Sequence, residues 1–69
     1  MKLSARNQLK GTIKEIEEGA VNAVVKMDIG GGNIISATIS MDAVKSLGLS
    51  VGKEAYAVIK STSVMVGVE

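Results

Sequence analysis

The sequence predicts an all-β fold: a small five-stranded, OB-like Greek-key barrel with one short helix, at about residues 41–47, between the third and fourth strands. Three observations predict it. Valine, isoleucine and threonine dominate the apolar set and proline is absent, which favours strands over helices. Several short segments alternate apolar and polar side chains with the period of two that a half-buried strand requires. Breaks containing glycine separate those segments at hairpin spacing.

The first strand is expected from Gln8 to about Glu17. Its pattern is irregular: Leu9 and Ile13 fall on one face and Ile16 on the other. Glu18-Gly19 reads as a tight turn. The second strand, Val21 to Ile29, is cleaner, with Val21, Ala23, Val25, Met27 and Ile29 alternating with Asn22, Val24, Lys26 and Asp28. Gly30-Gly31-Gly32-Asn33 then leads into a third strand, Ile34 to Ile39. The triple glycine matches neither G-x-G-x-x-G nor the Walker pattern, and no helix follows to offer its amino end to a phosphate. A plain hairpin turn is expected.

Ser40 to Leu47 breaks the alternation and carries helix signals. Ser40 is a good N-cap, Asp42 sits in the first turn, Lys45 lies near the end and Gly48 can close it. Val44 and Leu47 are expected to face the sheet, with Met41 behind them. Strands from Glu54 to Lys60 and from Ser63 to Val68 complete the set.

Sixty-nine residues make one domain, residues 1–69. At this size a single core rarely supplies more than ~3–5 kcal/mol, so an added constraint is expected. The absence of cysteine excludes disulfides, and the absence of histidine as well removes the usual zinc site. Oligomerisation is the remaining common solution, and an apolar fraction of 46% suits it. Apolar residues on both faces of single strands point the same way. Ala55, Ala57 and Ile59 alternate with Tyr56 and Val58, and Val24 interrupts a polar face. Scattered surface valines are the ordinary alternative. A net charge of +1 gives no electrostatic footprint for nucleic acid. Met1-Lys2-Leu3 opens no signal-peptide core, and no apolar run reaches the length of a membrane span. A cytoplasmic protein, complete as given, is the expectation.

Reactive groups are few. Without His or Cys the usual general base and the strongest nucleophile are missing, so no enzyme activity is expected. Glu15, Glu17 and Glu18 read as a solvated strand edge. Binding chemistry is better represented, in two polar clusters. Ser4 and Arg6, the latter the sole arginine, project from one side of an extended segment. Arg6 offers a planar fork of donors suited to an oxyanion. Lys60 adds a compact cation, and Ser61, Thr62 and Ser63 add hydroxyls on a turn whose amides can form an anion nest. Composition and spacing alone, however, favour a frayed terminus and an ordinary turn.

Two longer motifs shift that balance. Ser4-Ala5-Arg6-Asn7-Gln8-Leu9-Lys10-Gly11 and Ala57-Val58-Ile59-Lys60-Ser61-Thr62-Ser63-Val64-Met65 resemble the molbindin family, the small molybdenum-pterin-binding proteins built of a single TOBE-type, OB-like domain. The resemblance spans essentially the whole chain, including Ile39-Ser40-Met41-Asp42-Ala43-Val44. It implies a cytoplasmic protein that binds molybdate or tungstate without transforming it, as a store or buffer for molybdenum homeostasis. It also implies a hexamer, a trimer of dimers, with oxyanion sites between subunits. The implied oxyanion contacts fall on Ser4, Arg6, Lys60 and Ser61, with Ala5 contributing its backbone; molybdenum would be held as the oxyanion, with no residue ligating the metal directly. A second kind of site on the threefold axis is also implied, with no motif here to assign it. Ser63 stands where an acidic residue would be unsurprising in a relative.

Molybdopterin is possible but not favoured as the ligand, because one tyrosine and no Phe or Trp leave little for a pterin ring to stack on. Rival readings are an OB-type nucleic-acid-binding domain and a ligand-dependent interaction module. The former needs aromatic platforms and a basic groove that Tyr56 and a charge of +1 do not supply.

Overall fold

A computed structural model describes all residues, Met1–Glu69. The chain forms β1 (Asn7–Glu18), β2 (Asn22–Asp28), β3 (Ile34–Ser40), α1 (Met41–Ser46), β4 (Glu54–Ile59) and a closing 3-10 turn, Ser61–Ser63. The strands make one antiparallel, OB-like curled sheet in the order β3-β2-β1-β4. Strand β1 is the spine. Its first half, Asn7–Thr12, pairs with β4, and its second half, from Thr12 to Glu18, pairs with β2.

The irregular pattern of the first strand has a structural cause. The register steps from Ile13↔Met27 to Glu15↔Lys26, so Lys14 is an extra residue without a partner. Such a bulge changes the parity of every following side chain. Ile16 therefore packs against the same core as Ile13, opposite Val25, instead of facing away from it. Close approach of strands also explains Gly11: a Cβ there would lie 2.5 Å from the Asp28 carbonyl oxygen.

The core consists of Ile13, Ala23, Val25, Met27, Val44 and Ala57, with Ile16, Ile35, Ile39, Met41, Leu49 and Ala55 partly buried around it. Alternation in β2 thus holds for Ala23, Val25 and Met27, while Val21 and Ile29 lie outside the strand. The glycine connection is a plain hairpin turn, as expected. Gly30, Gly31 and Gly32 all have positive φ, the Gly30 N–H donates to Asp28 Oδ1, and Asn33 Nδ2 donates to the Gly30 carbonyl.

The helix forms where its caps placed it. Ser40 Oγ accepts from the Ala43 N–H at 3.0 Å, and Gly48 leaves the helix at φ 63°. Val44 faces the sheet as expected. Leu47 does not: it is the C-cap, past the last helical residue, and 62% exposed.

Four strands form, not five. The segment expected as a strand from Ser63 to Val68 starts in the 3-10 turn and continues without secondary structure. Its apolar alternation suits a strand, but a strand needs an edge to pair with, and this segment leaves the sheet at the end of β4 without meeting one. Met65, Val66 and Val68 are each more than 90% exposed. The sheet meanwhile keeps two free edges, β3 and β4. Between them runs an apolar groove of about 370 Å³, bordered by Ile35, Ala37 and Ile39 on one side and Ala55, Ala57 and Ile59 on the other.

On the outer surface Lys26 joins Glu15 (3.6 Å) and Glu17 (3.2 Å) across β1 and β2. A hydrogen bond and the charge of Lys26 hold the Glu17 carboxyl below the usual range, and the same partnership raises Lys26. The edge carboxylates are therefore solvated, as expected, but partly paired.

Candidate oxyanion site

The β1–β4 pairing builds the site. Asn7 pairs with Ile59, the last rung of that ladder, so the residue before Asn7 and the residue after Ile59 must emerge together. Those residues are Arg6 and Lys60, one from each polar cluster. Ser4, Ala5, Arg6, Lys60 and Ser61, the residues singled out from sequence, all line one hollow of about 530 Å³. Val58 and Thr62 complete its lining. Thr62 belonged to the second cluster. Val58 was visible only as a parity argument: it lies two residues before Lys60, on the same side of β4.

Donor chemistry dominates the hollow. Arg6 and Lys60 provide two cations, and neither is in a salt bridge. Ser4, Ser61 and Thr62 provide hydroxyls. Backbone amides matter as much. The N–H groups of Ser4, Ala5, Arg6, Lys60, Ser61 and Thr62 lie outside the strands, and none donates to an acceptor of the chain. The 3-10 turn accounts for the last two, because its internal bonds begin at Ser63 N–H to the Lys60 carbonyl (2.8 Å) and leave the earlier amides free. No carboxylate lines the hollow. Two fixed positive charges, three hydroxyls and a set of free amides are a combination for an anion rich in acceptor oxygens and carrying two negative charges.

The hollow is also open. Ser4, Arg6, Lys60, Ser61 and Thr62 are all exposed, and only Ala5 is half-buried. Four oxygen-sized atoms, each with a water's share of about 30 Å³ in the liquid, fill roughly 120 Å³. A single chain thus supplies the donors for a tetrahedral oxyanion but not the walls that would exclude water around it. The sole aromatic residue, Tyr56, is not part of the lining.

Known proteins resemble the chain over nearly its whole length. The TOBE domain family model matches residues 3–66. A probable molybdenum-pterin-binding protein of Haemophilus influenzae is 70% identical over 69 residues, covering 100% of both chains. Among solved structures, a molybdate-binding protein from Sporomusa ovata superposes with a TM-score of 0.91 at 40% identity, covering 99% of this chain and 100% of that one. A molybdate-bound form of the cytoplasmic molybdate-binding protein ModG gives a TM-score of 0.92 at 49% identity, covering 100% of this chain and 49% of that one.

Proposed function

The chain belongs to the molbindin family of single TOBE-type, molybdenum-pterin-binding domains, and on that premise we propose that it binds molybdate or tungstate as the intact oxyanion and holds it in the cytoplasm as a store or buffer. The observation that carries this reading is the meeting of Ser4-Ala5-Arg6 and Lys60-Ser61 on one hollow with no carboxylate in it. Arg6 grips two oxygens with its fork, Lys60 balances the second negative charge, and Ser4, Ser61 and the free amides of both segments saturate the remaining lone pairs. None of these groups is a base or nucleophile poised for chemistry, so the ligand leaves as it arrived. The lining offers a pterin ring no aromatic surface, which favours the bare oxyanion as the ligand.

The working unit in this reading is a homo-oligomer, a hexamer arranged as a trimer of dimers. Only six of 69 residues are buried in the single chain. The apolar groove between the β3 and β4 edges and the exposed segment 64–68 leave apolar surface that a second copy can cover. Subunit contacts would also close the hollow, giving each oxyanion a dry enclosure.

Titration calorimetry with molybdate tests the site directly. Arg6→Ala and Lys60→Ala should each weaken binding by one to two decades, the ~1.5–3 kcal/mol of a charge-assisted contact. Arg6→Lys should restore only part of the loss, because a point charge lacks the fork. Wild-type affinity in both alanine variants would remove the assignment.

A further inference from the structure

Two side-chain hydrogen bonds tie the hollow together, and the residues that make them do not line it. Asn7 Nδ2 donates to the Ile59 carbonyl at 3.2 Å, and Gln8 Nε2 donates to the Ala5 carbonyl at 3.0 Å. Each acceptor is the carbonyl half of a peptide unit whose N–H half belongs to a cation of the site. The Ala5 carbonyl shares its plane with the Arg6 amide, and the Ile59 carbonyl shares its plane with the Lys60 amide. All peptide bonds are trans, so in each plane the N–H points opposite to the C=O. Holding the carbonyl therefore aims the amide. Neither the Arg6 nor the Lys60 amide has an acceptor within the chain, so both donors are fixed in direction and free in valence.

The two bonds act on opposite walls. Gln8 reaches back across Asn7 and Arg6 to the Ala5 carbonyl and holds the N-terminal segment, which has no ladder pairing of its own. Asn7, half-buried, holds the end of β4 immediately before Lys60. Together they fix how far apart the two donor strips stand. We infer that Asn7 and Gln8 are positioning residues that set the width of the oxyanion cradle, and through it the preference for a large tetrahedral dianion over a small one. The inference rests on the oxyanion reading given above and deepens it. Charge cannot supply that preference, because Arg6 and Lys60 attract every dianion alike; a fixed donor spacing can, because a hydrogen bond weakens steeply once stretched.

The test measures molybdate and sulfate affinity by calorimetry in the full-length wild type, Gln8→Met and Asn7→Leu. Both substitutions are neutral and close in shape but cannot donate. Each should weaken molybdate binding about tenfold while sulfate affinity changes less than about twofold, so the preference between the anions falls by about tenfold. Gln8 is exposed, so Gln8→Met tests the inference even if Asn7→Leu fails to fold. Equal losses for both anions, or unchanged preference in a folded Gln8→Met protein, would show that these residues only support the fold. A wild type that binds neither anion, measured alongside, would instead remove the oxyanion reading and this inference with it.

Discussion

Single residues decide how closely neighbouring strands can pass. Gly11 is the clearest case, since it lets β1 pass close to the end of β2. A Cβ at that position would sit 2.5 Å from the Asp28 carbonyl oxygen and 3.1 Å from Ile29 Cγ2. The first of these is backbone and cannot swing aside, so the strands must separate. Gly11→Ala should therefore destabilise the fold by about 1–3 kcal/mol, the usual cost of overpacking. Denaturant unfolding would show it as a lower midpoint with an unchanged slope. A variant as stable as the wild type would mean that the strands can part freely at this point. Gly31, with open space and only the Asn33 amide at 3.3 Å, resists substitution for another reason: its φ of 62° suits glycine.

At the scale of elements, charge pairs and a bulge set the shape of β1. The Lys26 ammonium bridges Glu15 and Glu17 just beyond the extra residue Lys14, where the ladder resumes. Glu17 titrates below its ordinary range in the folded protein, chiefly through the hydrogen bond from Lys26 and then through its charge. Its contribution to stability is thus present above the unfolded-state value and disappears as pH falls through the lower folded value. Lys26, raised by the same partners, contributes below its ordinary range and loses that contribution as the solution becomes strongly alkaline. The Lys26 side chain is 35% exposed and those of Glu15 and Glu17 are 53% and 52% exposed, so the effect should be small and sensitive to salt. Carboxyl NMR titration should find the Glu17 midpoint moving up in Lys26→Met. An unmoved midpoint would mean that the pair does not persist in solution.

Much at this scale was legible in the sequence. Period-two alternation located β2, β3 and β4 to within a residue or two, and Ser40, Asp42 and Gly48 located the helix. What the sequence hid was relational. The bulge at Lys14 appears only once β1 is set against β2, which is why Ile16 read as facing outward. The segment after Ser63 has the side chains of a strand, but whether it becomes one depends on an edge that the single chain does not bring to it. Both polar clusters of the site were legible as residues; the ladder rung Asn7↔Ile59, which places them side by side, was not.

For the whole molecule, the consequential feature is how little a single chain encloses. Its core is six residues, its hollow is open, and its tail and groove leave apolar surface in water. In the proposed hexamer assembly and anion binding should be coupled, because subunit contacts that covered the tail would also bring walls to the hollow. Native mass spectrometry should find a hexamer at micromolar concentration that carries molybdenum or tungsten. Saturating molybdate should stabilise it by mass action, about 2.7 kcal/mol at a hundred times the dissociation constant, which for a domain of this size is a rise in Tm of about 10 °C or more. Deleting residues 64–69 tests the coupling. That truncation leaves every lining residue of the hollow in place, so a site complete within one chain should keep its affinity and its thermal response. A site that needs a second copy should lose both as the hexamer falls apart. A truncated, folded monomer that binds molybdate like the full chain would place the site within one subunit, and a truncated hexamer with the full thermal response would take the tail out of assembly.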